Sequence, residues 1–108
     1  MSRTIETWHY LFIAVLALAA GSESLPERVA RAYESGLQRL FTDENWPPHV
    51  RPDVAELRSQ LKAIVPPALH LSGERIKAAF MEADPIIVRS IARSTVLLYR
   101  KLMEGGDR

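Results

Sequence analysis

The run WHYLFIAVLALAA, Trp8 to Ala20, limits what this 108-residue chain can fold into more than any other segment. It is apolar around nearly the whole circumference of a helix, with His9 as the interruption, and such a helix has to be buried against something. A bilayer span takes roughly twenty apolar residues, and this run falls well short of that, so it reads as a core helix and no membrane span is expected. Glu6, Tyr10, Ala14 and Ala17 share one sector of small or polar character, while Ile5, Trp8, Phe12, Val15, Leu16 and Ala19 share the opposite one. The expectation is a helix near 4–20, buried through the second sector and leaving the first as a thin outer face.

A signal peptide at residues 1–19 is the rival reading. Arg3 precedes the apolar stretch from Leu11 to Ala20, and Ala17-Leu18-Ala19 has the small-x-small form of a cleavage site. Glu6 and the bulky, polar-tipped Trp8, His9 and Tyr10 weigh against it, since they occupy what would be the basic leader. The chain has no cysteine, which removes disulfides, thiolate catalysis and sulfur-based zinc sites and fits a reducing compartment. The expected location is therefore cytoplasmic, with export as the alternative.

Downstream of Gly21, Ser24-Leu25-Pro26-Glu27 spells a capping box with proline in the first turn, which opens a second helix near 25–41. Leu25, Val29, Ala32, Tyr33, Leu37 and Leu40 fall on its apolar face, and Gly36 falls there too. A glycine costs roughly 1 kcal/mol against alanine inside a helix, so its presence on that face predicts a close crossing by another helix. Residues 42–53, TDENWPPHVRPD, read as a loop because three prolines oppose helix. Val54, Leu57, Leu61, Ile64 and Val65 mark a third helix near 53–65, closed by Pro66-Pro67. Ser72 caps a fourth near 73–83, and Asp84-Pro85 opens a fifth near 85–104. The fifth is expected to bury Ile87, Val88, Ile91, Val96, Leu98, Tyr99 and Leu102. The fold class is all-α, one compact bundle of about five helices forming a single domain over 1–108. A composition of 47% hydrophobic and 25% charged residues is that of an ordinary globular protein of this size.

Chemistry-bearing motifs are sparse. His9, His49 and His70 lack metal-ligand spacing, and neither a phosphate-binding glycine loop nor a nucleophile elbow is present. Glu6-Thr7-Trp8-His9 spells E-x-x-H, but a di-iron bundle needs a second copy and two more inward glutamates. Glu74, Glu82 and Asp84 surround the fourth helix, where carboxylates ordinarily serve as solvated groups or caps. No catalytic, cofactor or metal residues are assigned, and the chain is not expected to be an enzyme.

With 14 basic and 13 acidic residues the net charge is +1, so attraction to nucleic acid would have to come from a local patch. The best such patch is Arg89, Arg93 and Arg100 along one face of the fifth helix, with Lys101 beside them. Its ordinary meaning is the wet face of an amphipathic helix. Helix-turn-helix docking fits poorly, because Ile86, Ile87 and Val88 stand where base-reading side chains would be polar. Trp46, held between loop residues and prolines, is expected to lid the core; exposed, it would be a partner contact instead.

The segments LPERVARAYESGLQRL, VRPD and SIARSTVLLY resemble a group of short, uncharacterised bacterial helical proteins with an ER-x-x-x-AY core and a terminal helix ending near LY. The likeness covers residues 14 to 104 and implies a folding unit without implying an activity. Surplus apolar helix surface, including Ile86 and Leu97 on the polar side of the fifth helix, leads to the functional expectation. It is a non-enzymatic accessory or regulatory protein acting through protein–protein interaction, with a foreign partner or as a homodimer. The alternative is a nucleic-acid-associated regulator using Arg89, Arg93, Arg100 and Lys101.

Overall fold

In the computed structural model, residues 9–42, 44, 46–66 and 71–105 are described. Among them are five α-helices and no strand: α1 (His9–Ala20), α2 (Leu25–Ser35), α3 (Arg51–Ile64), α4 (Gly73–Glu82) and α5 (Pro85–Gly105), with short 3-10 turns at Leu37–Phe41 and Pro48–Val50. The all-α bundle expected from the helical periodicities is the fold observed. No described helix is long and apolar enough to cross a membrane.

Helix α5 organises the bundle by packing on α1, α2 and α3, while α2 also holds α1 on one side and α4 on the other. Its buried seam is Val88, Ile91, Thr95, Leu98 and Leu102, the alternating three- and four-residue spacing of a helix face. Thr95 belongs to that seam because its hydroxyl donates to the Ile91 carbonyl at 2.8 Å, so no polar atom is left unpaired there. Val96 was expected in the core and is instead exposed: it lies one residue, or 100° of helix, past the seam position that threonine occupies.

Helix α1 is buried as expected but through the opposite face. Tyr10, Leu11, Ala14 and Leu18 are in the core, whereas Phe12, Leu16 and Ala19 face outward and Val15 is half-buried. An all-apolar helix carries no periodic signal to say which side turns inward, and here the small side does. The reason lies at Gly36. A Cβ added there would stand 2.3 Å from the Tyr10 carbonyl oxygen and 3.4 Å from the Ala14 Cβ. Glycine on one chain segment and alanine on the other let the backbones approach, as the sequence predicts for Gly36, and the Tyr10–Ala14 side of α1 is thereby the inner one. The residues expected at 4–8 of this helix, including Glu6 and Trp8, lie outside the described residues.

Helix ends depart from expectation for local reasons. The second helix stops at Ser35, not 41: Gly36 leaves the helical conformation with φ −159° and ψ −52°, and the chain continues as the 3-10 turn. The third begins at Arg51, two residues early, because Pro52 sits in the first turn, where its missing N–H costs nothing. Several connections are held by arginines that satisfy carbonyls at chain turns. Arg28 donates to the Leu18 carbonyl at 2.8 Å and the Glu23 carbonyl at 3.0 Å, Arg51 to the Trp46 carbonyl at 3.1 Å, and Arg58 to the Leu40 carbonyl at 2.8 Å. Trp46 itself is buried as part of the core cluster, the lid position expected of it.

Candidate interaction surface

Two consequences of this packing meet on one surface. Because α1 turns its small side inward, Phe12 and Leu16, one helical turn apart, project outward. Because Thr95 takes the seam, Val96 projects from α5, and Met103 follows seven residues on. The two helices are neighbours, and the rings of Phe12 and Tyr99 stand 6.0 Å apart between their centroids, which fixes the two stripes side by side. Phe12 is 38% exposed, Leu16 45%, Val96 44% and Met103 50%, so four large apolar side chains share one face of the molecule. His9 closes one end of the α1 stripe, its ring 5.9 Å from that of Phe12.

Arginines border this face on the α5 side. Arg93 and Arg100 are three residues before and four after Val96, and Arg89 is one turn before Arg93, so all three lie along the outer edge of the same stripe. They differ in freedom. Arg100 is tied to Glu104 at 2.9 Å, and the contact raises its pKa, an effect without consequence for a group that is always charged. Among the described residues, Arg89 and Arg93 are exposed and make neither ion pair nor hydrogen bond. Lys101 turns away from the stripe to bind both carboxylate oxygens of Asp53 on α3, at 3.0 and 3.1 Å. The basic group read from the sequence therefore resolves into two free arginines, one paired arginine and a lysine that links two helices.

Phe12, Leu16, Val96 and Met103 are the members that sequence reasoning missed, because it placed three of them in or toward the core. The signal available was the pair Ala14 and Gly36: two small residues mark a tight crossing, and assigning Ala14 to the inner side turns Phe12 and Leu16 outward. Ile86 and Leu97 are exposed as expected, but more than 60° around α5 from Val96, so they extend beyond this face.

A second surface feature is a polar cleft of about 190 Å³ between α2 and the start of α4, lined by Glu23, Glu27, Arg31, Glu34, Gly73 and Lys77 among others. Its charges are largely spent on one another. Lys77 bonds Glu27 at 3.1 Å and Arg31 bonds Glu23. Lys77 foremost, then the Ser24 hydroxyl and N–H, hold the Glu27 carboxyl below its usual value, so it stays an acceptor and has no proton to give near neutral pH. Among the described residues no cluster of histidine, aspartate or glutamate has the form of a metal site. His9 and His49 are exposed on separate elements, and His70 lies outside the described residues.

Protein-family models, curated proteins and solved structures were all compared with this chain, and none matches. The surface itself thus carries the functional argument.

Proposed function

We propose that this is a non-enzymatic accessory or regulatory protein of the cytoplasm that acts by binding another protein. The observation that carries the reading is the exposure of four large apolar residues, Phe12, Leu16, Val96 and Met103, on two packed helices joined by the Phe12–Tyr99 contact. Isolated exposed apolar residues are ordinary, but a cluster of large ones rimmed by charge is the usual form of a contact surface. Helices are also a rigid platform, so little ordering has to accompany binding. The cytoplasmic part rests on α1 supplying Leu11, Ala14 and Leu18 to the core, which cleavage near Ala19 would remove.

The test is a paired measurement on wild type and the Leu16→Glu, Val96→Glu double variant. Tagged chain recovered from its native host after nuclease treatment should retain a partner that the variant loses, or sedimentation should show a dimer of wild type that the variant converts to monomer. A variant identical to wild type in both assays would remove the reading. The second reading, a nucleic-acid-associated regulator, is favoured by the free Arg89 and Arg93. It requires affinity for duplex DNA or RNA that falls steeply with salt and is abolished by Arg89→Glu with Arg93→Glu.

A further inference from the structure

The geometry points to one kind of occupant for the α1–α5 face: an amphipathic helix of another protein, whose apolar stripe is bordered along one edge by aspartate or glutamate. The inference rests on the interaction reading above and narrows it to a partner chemistry.

Shape is the first argument. Phe12 and Leu16 form one apolar row and Val96 and Met103 the other, with the half-buried Tyr99 between them and touching Phe12. Two packed helices with a lower line between their outward rows offer a shallow groove, the receptor form of helix-in-groove recognition. The α5 stripe from Arg89 to Met103 runs about 21 Å at 1.5 Å per residue, room for roughly four turns of a bound helix.

Charge decides what that helix is made of. One border of the groove carries Arg89, Arg93 and Arg100; the other belongs to α1, which has no charged residue between His9 and Ala20. An occupant lying along the groove therefore meets cations on one edge and apolar or neutral side chains on the other. Carboxylates four and then seven residues apart along one edge, one and two helical turns, match this arrangement, because those spacings separate Arg89 from Arg93 and Arg93 from Arg100. A partner with acid on both edges would desolvate one row of carboxylates against α1 without compensation.

The same bookkeeping disfavours a second copy of this chain. The only acidic residue in α5 is Glu104, already paired with Arg100, and α1 has none. Self-docking through this face would leave Arg89 and Arg93 facing either each other or an uncharged helix. A lipid surface is also a poorer match. Clusters that hold proteins to anionic bilayers carry about four to eight basic residues, against three here, one of which is neutralised.

The experiment is selection from a display library of helix-forming peptides about 18 residues long, five turns of helix. Leucine is fixed along one stripe and the flanking positions are randomised. Wild-type protein should enrich peptides with aspartate or glutamate on one flank only. The Arg89→Glu, Arg93→Glu variant should bind those peptides about threefold to tenfold more weakly, the scale of two exposed ion pairs, and should itself select lysine or arginine at the same flank. Circular dichroism of that variant should be unchanged, since both residues are exposed. Leucine-stripe binders without acidic bias, or an identical selection by the charge-reversed variant, would overturn the acidic-helix proposal while leaving an interaction surface in place. So would a dimer dissolved by Leu16→Glu, or binding confined to phosphatidylserine vesicles. If no peptide is retained and Leu16→Glu with Val96→Glu also changes neither partner capture nor sedimentation, the interaction reading falls with it.

Discussion

Two residues show how single atoms set the limits of this molecule. At Gly36 a methyl group has nowhere to go, because the obstruction is the Tyr10 backbone carbonyl and not the end of a flexible side chain. Gly36→Ala should cost about 1–3 kcal/mol in urea denaturation, even though the same exchange at an unobstructed site usually stabilises. A change within 0.5 kcal/mol, the ordinary range of a surface substitution, would mean that α1 can move aside there. Glu27 acts through charge. Its carboxylate accepts from the Ser24 N–H at 3.3 Å and the Ser24 hydroxyl at 2.9 Å, closing the start of α2, and pairs with Lys77 across to α4. These contacts lower its pKa below the ordinary 4.5 in the folded chain. A lowered folded value means that the stabilisation is complete above the unfolded pKa and disappears as pH falls through the folded one. Glu27→Gln should accordingly flatten the loss of stability below about pH 4.5, read as the difference in urea midpoint between pH 7 and pH 3. An unchanged difference would show that Glu27 contributes nothing to the acid response.

At the scale of elements, α1 is the one whose sequence and placement part company. Every face of it is apolar enough to be buried, so transfer free energy hardly distinguishes the Leu11 side from the Leu16 side. Steric fit does: Ala14 beside Gly36 permits an approach that Phe12 and Leu16 would block. Leu11→Ala should therefore cost about 2–5 kcal/mol, as for a leucine removed from a closed core. Leu16→Ala should cost less than about 1 kcal/mol, since half its surface is already in water. Thermal or urea unfolding of the two variants checks this directly, and the reverse order would restore the face suggested by hydropathy. Helix α5 teaches a related lesson. A strictly apolar reading gives its buried seat to Val96, yet Thr95 holds it by turning its hydroxyl back onto its own helix.

For the molecule as a whole, much of the fold is legible in the sequence. The capping box at Ser24, the caps at Ser72 and Asp84, and the stripes of α2, α3 and α4 are local signals. Local signals survive folding because the hydrogen bonds that make a helix run within a few residues of one another. Ser72 does accept from the Arg75 N–H at 3.4 Å, and Asp84 from the Ile86 N–H at 2.9 Å. The basic stripe was also visible, though not that Lys101 leaves it for Asp53, a partner 48 residues away in the chain.

By itself the sequence determined the five helices found among the described residues, most of their starts and the close crossing at Gly36. Tertiary structure alone decided which side of α1 faces water, that Val96 and not Thr95 is exposed, and hence that Phe12, Leu16, Val96 and Met103 meet on one face. The physical reason is that helix formation depends on neighbours along the chain, whereas orientation depends on which small residues on different segments come into register. A uniformly apolar helix has no periodicity with which to announce that choice.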